Sequence, residues 1–294
     1  VANLIKQLHS EGIELDYIKS GTSTCGIWNR KHGEAKGNII LIHGGSYSST
    51  AVFHLPKNEK YSLIMRLHCE GYNVFAIDLS GYGVSKNIEE SKYETYLSEV
   101  RSAIEHVKCD NPLPIHLVGW SFGSHLAASV AEGNTNISSV TIWGGFWGGG
   151  RHGVPDLIRS IPYPDFAERV NAIEHAGWDF NVKGSYDSNI KEKFVNWSVS
   201  VDPYSPTAHL KSVIKDAPLF CPSNIKVATL LVHGEYDRIS NKDDMLACLD
   251  ALSAENKTYI EIKGSGHNCH QGLQIDRFLS CLLVFFESIQ NKVD

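Results

Sequence analysis

The sequence predicts an α/β fold: a mostly parallel central sheet of about eight strands flanked by helices, with an inserted, mainly helical lid. Three observations carry that expectation. Apolar, β-branched runs alternate with segments of helical period, as in parallel strands joined by crossover helices. One such run, Ile115–Val118, leads straight into Gly119-Trp120-Ser121-Phe122-Gly123 and then a helix of small residues (Ser124, Ala127, Ala128). The alternation then fails over residues 144–206, rich in Gly, Pro and aromatics, and resumes at Val227.

Taken in order, Ile13–Ile18 and Gly26–Arg30 read as an opening hairpin, and Asn38–Ile42 as the first buried strand. A helix over Glu59–Glu70, a strand over Asn73–Ile77 and a helix over Lys92–Lys108 follow. In the last of these Tyr93, Tyr96, Leu97, Val100, Ile104 and Val107 recur at helical spacing. After the helix that runs from Ser121 to about Glu132 comes a short strand, Val140–Trp143. Beyond the interruption lie Val227–Val232 (strand), Lys242–Leu252 (helix), Thr258–Ile262 (strand) and a final helix from about Gln271. The domains expected are therefore a core of residues 1–143 and 207–294 and a lid of residues 144–206. Loops this long inside a compact domain usually have a function.

The 294 residues can bury a substantial core, and 42% hydrophobic against 20% charged residues is the balance of a soluble globular enzyme. With 27 basic and 33 acidic groups the formal charge is −6, which offers no electrostatic footprint for nucleic acid. The longest apolar stretch, Phe278–Phe286, is far below the roughly 18 residues of a membrane span and reads as the buried face of a terminal helix. Residues 1–15 have no basic segment followed by an apolar core, so they do not read as a signal peptide; the chain opens on Val1, which leaves room for residues removed before it. Seven cysteines are scattered without a Cys-x-x-Cys pair, the usage of free thiols in a reducing cytoplasm. Cys269 and His270 lie near His267, but no second cluster matches a metal-ligand spacing, and no metal or organic cofactor is expected.

Gly119–Gly123 carries the chemistry. Gly-x-Ser-x-Gly between a strand and a helix is a strained turn that holds the serine hydroxyl clear of the backbone. A Cβ at either glycine would clash across so tight a turn. Ser121 also falls at a helix N-terminus, where free N–H groups favour developing negative charge.

At this point the chain resembles the α/β-hydrolase superfamily, over nearly its whole length. Ile40-Leu41-Ile42-His43-Gly44-Gly45 resembles the His-Gly-x turn after that family's third strand, which implies that Gly45 supplies one oxyanion-hole N–H and Phe122 the other. Asp78-Leu79-Ser80-Gly81-Tyr82-Gly83-Val84-Ser85 resembles the Asp-x-x-Gly-x-Gly-x-Ser signature, structural in the family, with Ser80 in place of the usual Arg or Pro. Leu230 to Arg238 looks like the strand and loop that carry the family's acid, which implies Asp237; Glu235 is the competing carboxylate but matches a framework position. His267, in Gly264-Ser265-Gly266-His267-Asn268 after the last strand, matches the family's base. His43 and His233, at strand ends, are expected to be hydrogen-bonding framework.

The lid contributes Phe146, Trp147, Tyr163, Phe166, Trp178, Phe180 and Trp197, with Trp143 at its base. Trp143, Phe146, Trp147 and Trp178 are the residues expected to meet an apolar group of the substrate, the remainder being lid packing. The Gly148-Gly149-Gly150 run reads as a flexible hinge, because no Lys-Ser/Thr follows it as in a phosphate loop. The resemblance implies hydrolysis of a small-molecule acyl ester through an acyl-enzyme. Alternatives on the same residues are a thioesterase, a lactone-forming cyclase, an acyltransferase or a C–C hydrolase, and from another class a small-molecule receptor. Against the thioesterases, the position after the sixth strand reads Trp143-Gly144-Gly145, without the acid many of them carry there.

Overall fold

A computed structural model describes residues 1–85, 91–160, 168–171 and 173–290. The described strands form one eight-stranded sheet and one small antiparallel pair. The hairpin β1 (Glu14–Ser20) and β2 (Ser23–Arg30) opens the large sheet. It is followed by β3 (Asn38–Ile42), β4 (Asn73–Asp78), β5 (Ile115–Trp120) and β6 (Ser139–Trp143). Spatial order runs β1-β2-β4-β3-β5-β6 and ends on β9 (Ala228–Gly234) and β10 (Lys257–Ile262). From β4 onward every neighbour is parallel; the β1–β2 and β2–β4 pairs are antiparallel.

The period of two decides which helix meets which residue. On one face Ile39, Leu41, Val74, Ala76, Val118, Leu230 and Val232 pack with α3 (Leu63–Cys69) and α11 (Ile275–Gln290). On the other, Ile40, Ile42, Phe75, Ile77, Leu117 and Leu231 pack with α4 (Tyr93–Asp110), α5 (Phe122–Ala131) and α10 (Lys242–Ala251). All six apolar residues expected along α4 are buried. Ile275, Phe278, Leu279, Leu282, Phe285 and Phe286 form the buried stripe of α11, the amphipathic pattern of a surface helix. None of the described helices is long and apolar enough to cross a membrane.

The expected helix over Glu59–Glu70 is instead a 3₁₀ turn, Glu59–Tyr61, followed by α3. Ser62 separates them because its hydroxyl accepts from Met65 N–H at 3.2 Å, an N-cap that starts a new helix. Before β4, α1 (Ala2–Ser10) and the five-residue α2 (Ser49–Phe53) lie outside the sequence expectations.

Between β6 and β9 the chain forms short pieces: α6 (Asp156–Ser160), β7 (Glu168–Val170), α7 (Ile173–Ala176), α8 (Ser188–Val201), β8 (Tyr204–Pro206) and α9 (Ala208–Asp216). The strands β7 and β8 pair with each other and not with the large sheet. The helix α8 is capped by Asp187, whose carboxylate accepts from Asn189 and Ile190 N–H groups. It docks on α2, with Trp197 Nε1 donating to Thr50 O and Ser198 Oγ to Ala51 O.

Two of the aromatic residues assigned to a substrate pocket are placed elsewhere. Trp143, the last residue of β6, shares a face with Val232 and Val118 and is 0% exposed. Its ring packs against Phe278 at 4.3 Å and His270 at 4.6 Å, so it belongs to the core beneath α11. Trp147 packs partly buried against the opposite core, and a Cβ on Gly149 would come within 2.2 Å of its indole. The glycine run is accordingly a fixed turn in place of the expected hinge: Asp244 accepts from Trp147 N–H at 2.6 Å and Gly148 N–H at 2.9 Å, and Gly153 N–H closes back on Gly148 O. Phe180 packs with Tyr186 and Phe194, as expected of packing residues, while Tyr163 and Phe166 lie outside the described residues. Trp143→Ala should therefore act on stability, lowering the unfolding free energy by about 3–5 kcal/mol in chemical denaturation, as large-to-small changes in a packed core do.

Candidate active site

Ser121 stands between β5 and α5 with φ 56° and ψ −121°, a positive φ that a residue with a Cβ rarely adopts. What holds it there is the closeness of its surroundings. A Cβ on Gly119 would lie 2.2 Å from Gly123 O, and one on Gly123 would lie 2.3 Å from Ile42 O, so only glycine fits at either place. Ser121 N–H donates to Trp143 O at 2.8 Å, and Ser121 O accepts from Ser124 N–H and Oγ. The turn is bound both to the neighbouring strand and to the helix it starts.

His267 lies in the turn after β10, its side chain 4% exposed. Its Nδ1 lies 2.9 and 3.0 Å from the two oxygens of Asp237, whose side chain is 0% exposed. Asp237 is fixed in turn: Oδ1 accepts from Ile239 and Ser240 N–H groups at 2.8 and 3.0 Å. Such a carboxylate places the proton on Nδ1 and leaves Nε2 as the lone-pair nitrogen. Burial pushes the imidazole pKa down, but the charge and hydrogen bond of Asp237, aided by the charge of Asp179, outweigh it, and the net shift is upward. Trp120 braces the ring from below, its indole 5.2 Å away and its Nε1 donating to His267 O. Glu235, the competing carboxylate, is bound instead to Gly264 N–H and Lys263 Nζ, which lower its pKa.

Gly144, after β6, has φ 62°, and a Cβ there would meet His267 at 3.1 Å and Asp237 Oδ2 at 3.3 Å. The position from which a second acid could reach the imidazole is thus occupied by backbone pressed against the existing pair. This is a close approach that glycine alone allows.

The loop after β3 runs past the serine. A Cβ on Gly44 would stand 3.1 Å from Ser121 Cβ, and one on Gly45 3.5 Å from Phe122 Cβ. Phe122 opens α5, so its N–H belongs to the first turn, where no intrahelical acceptor exists. His43 holds the loop from behind: Nδ1 donates to Gly44 O at 2.7 Å and Nε2 accepts from Leu79 N–H at 3.2 Å, and burial lowers its pKa to about 4. It is framework. His233 lies 2.8 Å from Tyr259 OH and has the same character.

Further holding groups were not legible in the sequence. Tyr82 OH donates to Gly45 O at 2.9 Å and lies 3.3 Å from His209 Nε2, whose ring packs at a tilt 4.3 Å from that of Phe122. Asp202, just after α8, accepts from Ser48 and Gly83 N–H groups, both at 2.7 Å, while Asn171 donates to Ser46 O and Asp202 O. The segment between β6 and β9 therefore grips the Gly44–Ser48 loop through two buried polar side chains. In the Asp78 signature, Asp78 accepts from Trp28, Ser49 and Val84, which gives that segment a structural task.

Ser121 and His267 open onto one cavity of about 220 Å³. Its wall is largely apolar: Trp120 and Phe122 from the core, Phe146, Leu157, Ile158 and Trp178 from the intervening segment, Leu210 and Val213 from α9. Of the four aromatics nominated for substrate contact, Phe146 and Trp178 line it and Trp143 and Trp147 do not. Trp178 also lies under the Arg238 guanidinium at 5.1 Å, which ties it to the loop bearing Asp237. Among the described residues no group of three His, Cys, Asp or Glu side chains could hold a metal; Cys269 Sγ donates to Gly266 O and His270 Nε2 lies 2.9 Å from Val52 O.

A model of the Alpha/beta hydrolase family matches residues 39–278, and the chain belongs to that family. Protein phosphatase methylesterase 1 of Bos taurus is 32% identical over 128 residues, 42% of this chain. The match spans 30% of that relative's length. Among solved structures, the thioesterase domain from the curacin biosynthetic pathway superposes with a TM-score of 0.66 at 16% identity, covering 94% of this chain and 99% of that one. The esterase EaEST from Exiguobacterium antarcticum does so with a TM-score of 0.66 at 19% identity, covering 92% and 98%. At such identities the two structures speak for the fold.

Proposed function

We propose that this hydrolase cleaves a carboxylic ester through an acyl-enzyme. Ser121 Oγ attacks the ester carbonyl while His267 Nε2 takes its proton, and Asp237 steadies the imidazolium that results. The oxyanion is received by the N–H groups of Gly45 and Phe122. His267 then returns the proton to the leaving alcohol, and water, deprotonated by the same imidazole, releases the acid. The observation that carries the reading is the grip of Asp237 on His267 Nδ1 beside a serine held at positive φ, both residues opening on one apolar cavity. An arrangement that fixes a tautomer serves proton transfer, for which ligand binding alone has no use. Residues 144–206 act as the lid, with α9 extending the same cover, since both contribute wall to that cavity.

The test is labelling by a fluorophosphonate with mass-spectrometric mapping, paired with steady-state turnover of chromogenic esters. Modification at Ser121 and many turnovers per site support the reading. Labelling of another serine would remove the nucleophile assignment, and a single turnover would point to a receptor. Esters and thioesters of one acyl group, compared side by side, separate the esterase from the thioesterase.

Two further outcomes follow from the lid. Trp178→Ala should remove apolar contact worth roughly 3 kcal/mol, about a hundredfold in kcat/KM for long acyl chains and far less for acetyl esters. Equal losses for both would show that Trp178 does not contact the chain. Asp202→Ala leaves the N–H groups of Ser48 and Gly83 without their acceptor. Stability should fall by about 2 kcal/mol, and kcat should fall more than KM rises, because the oxyanion loop is loosened.

A further inference from the structure

Among the polar side chains that line the cavity beside Ser121, His125 is set in apolar surroundings and the reaction gives it no work. His125 lies four residues after Ser121, near the start of α5, and lines the same cavity. It lines the cavity and is 2% exposed. Phe146 covers its ring at 4.6 Å and Phe220 approaches at 6.4 Å. Nδ1 is buried and has no hydrogen-bond partner among the described residues. The other unworked histidines lack this combination: His43 is bound at both nitrogens, while His116 and His270 pack in the core away from the cavity.

An unpaired imidazole nitrogen in an apolar wall is costly, and a group of this kind calls for an explanation. Burial lowers the His125 pKa to about 4, so at neutral pH the ring is uncharged and offers one donor and one acceptor. What it can pair with must be neutral as well, because the Asp179 carboxylate shares the cavity wall and disfavours an anionic group there. A hydrocarbon chain packed against this ring would leave the imidazole without a polar partner. A chain with an oxygen there would supply one.

We propose that His125 is a substrate-binding residue, and that the group entering the cavity carries a neutral oxygen, a ketone or hydroxyl, beyond the carbonyl attacked by Ser121. This inference rests on the reading of Ser121 as nucleophile and names the class of ester it serves. The substrate is then a functionalised acyl ester, and a simple fatty ester is a poor one. The discrimination is of the kind seen when a site built to hydrogen-bond an oxygen meets an analogue lacking it.

The experiment uses two series of para-nitrophenyl esters on the full chain. One carries a methyl ketone at the end of an acyl chain of five, six or seven carbons. The other replaces the carbonyl oxygen by a methyl group, which keeps the shape and removes the hydrogen bond. In the native enzyme at least one ketone ester should exceed its hydrocarbon partner in kcat/KM by roughly tenfold or more. His125→Leu, or His125→Phe should leucine not be accommodated, should bring that ratio to unity or below, and His125→Gln should restore part of it. A native preference for the hydrocarbon ester at every length would overturn the inference, and so would a ketone preference that survives in His125→Leu. Fluorophosphonate labelling of native Ser121 separates this failure from the broader one: if Ser121 is not labelled and neither series is turned over, the hydrolase reading itself has failed.

Discussion

Ser121→Ala should lower ester turnover by up to about 10⁶-fold, roughly 8 kcal/mol of transition-state stabilisation, while leaving the fold intact. The fold should survive because the side chain contributes little packing: the turn is held by backbone bonds to Trp143 O and from Ser124 N–H, and alanine retains them. Neither Gly44 nor Gly119 needs the hydroxyl to pack. The positive φ is no worse for alanine than for serine, so stability should change by less than about 1 kcal/mol. Residual activity should come from binding and from the N–H groups of Gly45 and Phe122. The measurement is kcat on a chromogenic ester together with an unfolding curve. A variant that retained a hundredth of native turnover would place the nucleophile elsewhere, since truncating a true nucleophile leaves no comparable route.

How much of this was legible beforehand depends on how local the signal is. The strands β3, β4, β5 and β9 are continuous apolar runs closed by glycine-rich turns, so their positions could be read within a residue or two. The elbow is equally local, because both glycines are demanded by backbone atoms a few ångströms away. Lys242–Ala251 and the stripe of α11 repeat at helical period and could be read too. What escaped was set by tertiary contact. Trp143 ends a strand, and only its register opposite Val232 decides that it faces α11 and not the cavity. Nothing near Asp202 announces an acceptor for Ser48, 154 residues earlier. The five residues of α2 are too few to show a period, and α1, with Leu4, Ile5 and Leu8 on one face, is only nine residues long. Gly148–Gly150 has the composition of a hinge, and it is fixed by Asp244, whose two accepted N–H groups lie almost a hundred residues back.

Asp237→Asn should keep the fold and lose about four orders of magnitude in kcat, for a reason readable from the donors around it. Oδ1 already accepts two backbone N–H groups, from Ile239 and Ser240, so the asparagine must place its carbonyl oxygen there. Its NH₂ is then turned toward His267 Nδ1, and an amide N–H requires an acceptor at that nitrogen. The imidazole proton moves to Nε2, the nitrogen that should receive the proton of Ser121, and the base is lost. The pH dependence gives a second and independent sign. In the native enzyme the Asp237 charge outweighs burial and raises the His267 pKa, so the acid limb of kcat/KM should lie above the ordinary histidine value of about 6.5. Without that charge only burial, which lowers the pKa, and the weaker influence of Asp179 remain. The limb of the residual activity should therefore move to lower pH, and the pH-rate profiles of the two proteins measure the displacement. A limb that stayed in place with near-native kcat would remove Asp237 from its role, and loss of activity in Glu235→Gln under the same conditions would transfer that role to Glu235.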